Sequence, residues 1–229
     1  TPFGVEYLVN DAKLLFVKRS TAASTIGTFR KYGVQAQGSL LDKRITLTAG
    51  AFNGYYRKKI SLFIGKAHTI PIKSGELIPD FQFEAGGSVV YTQIKYDLPY
   101  SFIFFKNNHI LLSADTKLTY DRYWLEGEYF ATTSNGNKTM DGFYIDAGGK
   151  INSELELIGR FDWSAIYWKE VILNHLWQNI FTINVSRRYL IGVTYYPLNH
   201  IKLQLDYERD YTYKVNSAWL NCQYAINFE

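Results

Sequence analysis

The sequence predicts an all-β chain, an antiparallel transmembrane β-barrel, and three observations predict it. Apolar and polar residues alternate with period two over run after run, most cleanly where Ile201, Leu203, Leu205 and Tyr207 interleave with Lys202, Gln204, Asp206 and Glu208. Aromatic residues make up 17% of the chain and include 19 tyrosines; Tyr and Trp favour sites with one apolar and one wet end, such as a bilayer interface. No run approaches the roughly 20 apolar residues of a membrane helix. A mean hydropathy of -0.18 still suits a barrel, whose lipid-facing and lumen-facing residues alternate.

Residues Thr1 to Phe29 are the least regular. Pro2 and Gly4 break the chain early, Leu14 to Val17 form a short apolar run, and Lys18-Arg19-Ser20 leads into a small-residue stretch. This reads as a long loop with a short strand or helical turn, and long loops are usually functional. Strand pattern begins with Tyr32, Val34, Ala36, Gly38 and Leu40. Leu41-Asp42-Lys43 turns the chain, and Ile45, Leu47, Ala49 and Ala51 continue it as far as Asn53-Gly54. Ile60 to His68 is a strand of weaker pattern, and Pro71 to Asp80 is a loop. Phe83 to Thr92 alternates again. Pro99 to Asn108 is ambiguous, because Phe102 to Phe105 is apolar without alternation.

Ile110 to Tyr120 puts His109, Ser113, Asp115, Lys117 and Thr119 on its polar side, with Leu111 as an apolar exception. Tyr123, Leu125, Gly127 and Tyr129 oppose Trp124, Glu126, Glu128 and Phe130. Ser134 to Asn137 is a turn. Phe143 to Lys150 and Leu155 to Ser164 are strands. Ile166 to Gln178 is the one stretch with helical character, although a long loop or a strand top fits it equally. Strand pattern returns at Ile180 to Val185 and at Tyr189 to Tyr196, and Pro197 to His200 reverses the chain. The last run carries Leu220, Cys222, Tyr224, Ile226 and Phe228 on one face. A soluble sheet rarely ends on such a strand, because it leaves an exposed edge; a barrel pairs it with an earlier one. The total is about eleven strands of roughly nine to thirteen residues, long enough to cross a bilayer when tilted.

In chain order, several of these stretches resemble one family. YGVQAQGSLLDKRITLTAGAFNG, Tyr32 to Gly54, is similar to the central hairpin of phosphate-selective porin O/P proteins. The opening PFGVEYLVNDAKLLFVKRS, the segment WLEGEY from Trp124, and the later ELELIGRFDW, IGVTYY and HIKLQLDYE follow in the same order. The resemblance covers most of the chain and weakens between Ile60 and Lys106. It implies an outer-membrane porin barrel of about 16 strands, often trimeric, with a long loop folded into the pore. It further implies that residues 1–30 correspond to the constriction-loop region, that the N-terminal strands and signal peptide are absent, and that residues 1–229 are a single barrel domain.

On that reading the function is passive diffusion of small hydrophilic solutes, with anions such as phosphate as candidates. Basic side chains in a narrow polar lumen concentrate anions and replace part of their hydration. The candidates are Lys13, Lys18, Arg19 and Arg30 in the opening segment, Arg44 on the second strand, and Lys117, Arg160 and Lys202 on inward faces. Each reads equally as a solvated or paired charge. Asp115, Glu126, Glu128, Asp146, Glu156, Asp162, Asp206 and Glu208 share those faces, so the wall is mixed and tilts acidic, without an arginine ladder. Arg160 and Asp162 read as cross-strand partners. A porin is therefore better supported than a phosphate-selective one, and ion selectivity is expected to be weak.

The sequence predicts no enzyme, cofactor or metal. Zinc-protease, nucleophile-elbow and phosphate-loop motifs are absent. His68, His109, His175 and His200 lack ligand spacing, and the single Cys222 makes no disulfide framework or cysteine-based zinc site. A net charge of +4 is too mild to imply nucleic acid. The expected partners are outer-membrane lipid, small hydrophilic or anionic solutes, and a homotrimer or larger assembly; the expected location is the bacterial outer membrane. Two alternatives remain: a non-conducting barrel that serves as scaffold or partner in an outer-membrane complex, and a soluble β-sandwich, whose outward faces are the polar ones.

Overall fold

The alternation along the chain becomes pairing across it. In the computed structural model each strand is hydrogen-bonded antiparallel to its neighbour in sequence, giving one sheet in the order β1 to β11. The strands are β1 (Gly33–Leu40), β2 (Ile45–Asn53), β3 (Ile60–His68), β4 (Phe81–Lys95), β5 (Lys106–Tyr120), β6 (Tyr123–Ser134), β7 (Asn137–Lys150), β8 (Leu155–Glu170), β9 (Ile180–Leu198), β10 (Ile201–Asp210) and β11 (Val215–Tyr224). The structure describes residues 16, 20–21, 24, 33–40, 45–53, 60–68, 81–95, 106–134, 136–170, 180–198 and 201–224. Among these, β1 and β11 are the two edges of the sheet, so the expected pairing of the last strand with an earlier one is not seen.

The turns follow from local chemistry. Two residues join β5 to β6, and Asp121 takes φ 51° there, a left-handed conformation that Asp tolerates better than most residues. Gly136, between β6 and β7, has φ 81°, which glycine adopts without steric cost. After β7, Asn152 Oδ1 accepts from the backbone N–H of Glu154 (2.9 Å) and Leu155 (2.8 Å). After β10, Asp210 Oδ1 accepts from Thr212 N (2.8 Å) and Tyr213 N (3.1 Å). Both are Asx turns, in which a short polar side chain stands in for a backbone carbonyl.

Two expectations about element length are corrected. Strands β4, β8 and β9 have 15, 16 and 19 residues, longer than the expected nine to thirteen. Ladder hydrogen bonds are made by backbone and continue where side-chain alternation fades. For the same reason the helical reading of Ile166 to Gln178 fails over its first part: β8 pairs with β9 as far as Glu170 opposite Ile180. The remainder of that stretch lies outside the described residues, as do Asn199 and His200 of the β9–β10 hairpin, whose flanks Leu198 and Ile201 face each other.

Burial is inverted relative to a soluble protein. Exposed large side chains include Leu112, Tyr129, Ile145, Ile191, Leu205 and Tyr207, whereas Glu128, Asp146, Arg160, Asp162, Gln204 and Asp206 are buried. This is the barrel arrangement, with lipophilic residues outward and polar residues inward. Outward aromatic rings form a chain across three strands and the turn after β10: Phe143 meets Trp163 and Phe161 at 5.7 Å, Phe161 meets Tyr189 at 4.9 Å, and Tyr189 meets Tyr211 at 5.3 Å. Such girdles mark a bilayer interface. The Leu111 exception is resolved as well. It joins Val90, Phe130, Met140 and Tyr144 in an apolar cluster on the inner face, with Ile166 packed against it.

Candidate functional site

Strand register assembles the inner wall from β5 to β10. Arg160 of β8 lies directly opposite Asp146 of β7, and its Nε and Nη2 donate to the two carboxylate oxygens at 2.6 Å each. This fork is the strong form of an Arg–carboxylate pair. The guanidinium is sandwiched between two rings, Tyr144 at 4.7 Å and Phe16 at 4.8 Å. Asp162 lies opposite Arg188 of β9 and bonds it, and Arg188 reaches Glu208 of β10 at 3.6 Å. Gln204 Nε2 donates to both oxygens of Asp206, at 3.0 and 3.1 Å.

Aromatic donors finish the wall. Tyr144 Oη donates to Glu128 at 3.1 Å. Glu156 receives Trp124 Nε1 at 3.3 Å and Tyr196 Oη at 3.4 Å. Nearer the exposed rim, Lys117 of β5 pairs with Glu126 of β6 at 3.1 Å.

Phe16 and Thr21 of the opening segment lie against this wall. Phe16 is 1% exposed and packs with Ile158 and Leu190, with Trp124 alongside. The backbone N–H of Thr21 donates to Asp162 Oδ2 at 2.6 Å. Ser24 N donates to Ser20 O at 2.9 Å, one turn of helical bonding. Gly192 makes room for the contact: a Cβ there would fall 2.6 Å from Asp206 Oδ1 and 3.3 Å from the Phe16 ring.

Of the basic residues singled out from sequence, Lys117, Arg160 and Lys202 are described. Arg160 is buried and neutralised by Asp146. Lys117 is half exposed and held by Glu126. Lys202 shares the inner face of β10 and lies within electrostatic reach of Glu156 and Asp206. Lys13, Lys18, Arg19, Arg30 and Arg44 lie outside the described residues. Buried charge on the described wall is mostly acidic: Glu128, Asp141, Asp146, Glu156, Asp162, Asp206 and Glu208, against Arg160. Among the described residues no group of His, Cys, Asp or Glu is arranged to hold a metal ion.

Sequence reasoning missed Phe16, Thr21 and Arg188. The signal for Arg188 was available, since it shares the inward parity of Leu190 and Gly192. The register that sets it against Asp162 cannot be read from the pattern of either strand alone.

No family model matches the chain, so the resemblance to phosphate-selective porin O/P proteins gains no support, and no curated protein matches either. Among solved structures, the chain is similar to a loop L8 deletion mutant of OmpT, an outer membrane protein of Vibrio cholerae. The identity is 10% and the TM-score 0.55, over 90% of this chain and 73% of that one. At that identity the likeness is one of fold: the chain has an outer-membrane β-barrel fold. The expectation that the chain is not an enzyme is withdrawn, because an outer-membrane barrel fold does not decide whether a chain is catalytic. One fold hosts unrelated functions, so the absence of a few catalytic motifs does not settle the matter.

Proposed function

We propose that the chain forms, in the bacterial outer membrane, a water-filled channel for passive diffusion of small hydrophilic solutes, narrowed by its own opening segment. The observation that carries this reading is the buried, charged inner wall set against an outward face of Leu, Ile and Tyr. Polar residues lining an enclosed interior hold water there, and a mixed wall whose charges are largely paired passes small solutes without binding them tightly. Phe16 and Thr21 sit on that wall, so the segment that carries them narrows the passage. Lys13, Lys18, Arg19 and Arg30 belong to the same segment and are the cations to test as solute contacts. Phosphate preference is not part of this reading, because the described wall tilts acidic and Arg160 is spent on Asp146. The partners on this reading are outer-membrane lipid, the solutes themselves and, in a trimer, further copies of the chain.

A second reading, a non-conducting barrel that serves as scaffold in an outer-membrane complex, is favoured by one feature. Asp162, Gln204 and Asp206 are each 1% exposed, which is tight cover for a wall that faces water. Planar-bilayer recording separates the two readings. A channel gives discrete conductance steps, a reversal potential in a salt gradient close to zero, and larger steps in Phe16→Ala. Silence in both proteins establishes the scaffold, and a strong phosphate preference refutes the weak selectivity assigned to the wall.

A further inference from the structure

The outward face carries a depression that the channel reading does not use. It is an open groove of about 510 Å³ across β7, β8 and β9. Its floor is made of small residues, Ala147, Gly149 and Gly159, and its sides are Leu157 and Ile191, which are 43% and 64% exposed. Register explains the floor: Ala147 lies opposite Gly159, and Gly149 opposite Leu157, so two strands present missing side chains side by side. A Cβ on Gly159 would meet only the Ala147 carbonyl, at 4.0 Å, so that part of the groove is open, whereas the space over Gly149 is taken by the Tyr123 ring, 2.5 Å from where a Cβ would fall.

The chemistry of the groove is graded. Its charged lining residues are Arg122 and Lys150, and both are cations. They lie at the end of the sheet with the tight β5–β6 turn, where Lys150 N donates to Arg122 O at 3.1 Å. Arg122 is held in place by the Tyr123 ring at 5.3 Å and by the Ile151 carbonyl at 3.5 Å. Tyr123 and Tyr120, both 52% exposed, mark the bilayer interface at that level. An apolar trough that ends in two cations at an interface matches one kind of molecule, an amphiphile with a negative head. A guanidinium forks phosphate oxygens, and an ammonium adds a point charge.

We infer that this groove binds an anionic phospholipid, with an acyl chain over Ala147 and Gly159 and the phosphate against Arg122 and Lys150. Arg122 and Lys150 put the phosphate at the end of the sheet with the β5–β6 turn, so the lipid comes from the leaflet at that end. The inference rests on the outward face meeting lipid and not on conduction, so a silent channel leaves it standing.

The test uses the full chain in detergent micelles doped with equal amounts of phosphatidylglycerol and phosphatidylcholine, with retained lipid counted by native mass spectrometry. The unaltered protein is expected to retain phosphatidylglycerol about tenfold over phosphatidylcholine, the order that two interfacial cations supply. Arg122→Gln with Lys150→Gln brings the ratio to near one. Gly159→Leu fills the trough and removes both lipids. Gly38→Leu, the same change on β1 at a site with nothing within 4 Å, removes neither. Heat-shifted mobility in gels reports that each variant keeps its barrel. Equal retention by the unaltered protein overturns the inference, as does a preference that survives the double substitution or retention undiminished by Gly159→Leu.

Discussion

Between β4 and β7 the inner wall carries an apolar cluster; from β7 to β10 it carries a network of buried ion pairs. Val90, Leu111, Phe130 and Met140 make the first half, and Asp146, Arg160, Asp162, Arg188 and Glu208 the second. Tyr144 belongs to both, packing in the apolar cluster while its ring covers Arg160 and its hydroxyl reaches Glu128. The apolar half is stabilised by removing surface from water and is indifferent to small shifts. The charged half works only if each strand holds the register that sets Asp146 against Arg160 and Asp162 against Arg188. A one-residue slip turns every one of these groups toward lipid. The difference teaches that the two halves do different work: the first adds cohesion, and the second selects the alignment.

That contrast is sharpest under truncation. Asp146→Ala strands the Arg160 guanidinium, which is 2% exposed, and removal of one partner from a buried pair costs about 3–5 kcal/mol. Met140→Ala, in the apolar half, costs about 2 kcal/mol because the loss is transfer and cavity alone. Asp146→Leu together with Arg160→Met recovers most of the loss, since an apolar pair of similar volume is often as stable as a buried ion pair. Urea midpoints in one detergent give all three values. Equal cost for the two single substitutions, or no recovery in the double one, breaks the distinction between the halves.

The fold was legible in the sequence because a barrel needs only parity. Ile201 to Glu208 and Tyr123 to Phe130 state which face is which, and the structure keeps both assignments. The site was less legible because it is a matter of register. Arg160 reads as an inward cation in sequence, and only the alignment of β7 with β8 shows that its charge is taken by Asp146. Phe16 was hidden for another reason. It sits in an irregular segment without periodicity, and its partners Ile158 and Leu190 lie far along the chain. Leu111 looked like an error of pattern because inward positions were assumed to be polar, whereas a packed cluster on the inner face accepts it.

Gly192 separates the opening segment from the wall it rests on. A methyl group added there meets Asp206 Oδ1 at 2.6 Å and the Phe16 ring at 3.3 Å, and something has to move. Overpacking of this kind costs about 1–3 kcal/mol, less than stranding a buried charge. The backbone is fixed on both sides by pairing, so side chains give way: the Asp206 carboxylate first, and then the Phe16 ring, by a few tenths of an ångström. Gly192→Ala is therefore expected to loosen the opening segment while leaving the sheet intact. Faster protease cleavage within residues 1–30, with an unchanged β-sheet circular dichroism spectrum, is the outcome that fits. Unchanged cleavage means that the segment is held by Thr21 and Asp162 rather than by the ring.

Lys117 tests an ion pair outside that network, on the β5–β6 rim. It lies opposite Glu126 in register, and their 3.1 Å contact has the geometry of an ion pair, but the two side chains are 42% and 18% exposed. Water and salt reach it, so the pair contributes about 0–1 kcal/mol. Lys117→Gln is expected to move the urea midpoint by no more than that, and the remaining difference from the unaltered protein should vanish at about 1 M salt, where the screening length is about 3 Å. The Asp146→Ala penalty should survive the same salt, because its charges are sealed from it. A loss at Lys117 as large and as salt-resistant as the loss at Asp146 requires that the β5–β6 rim be closed to water as the β7–β8 wall is, and the passage then has no wet side at that level.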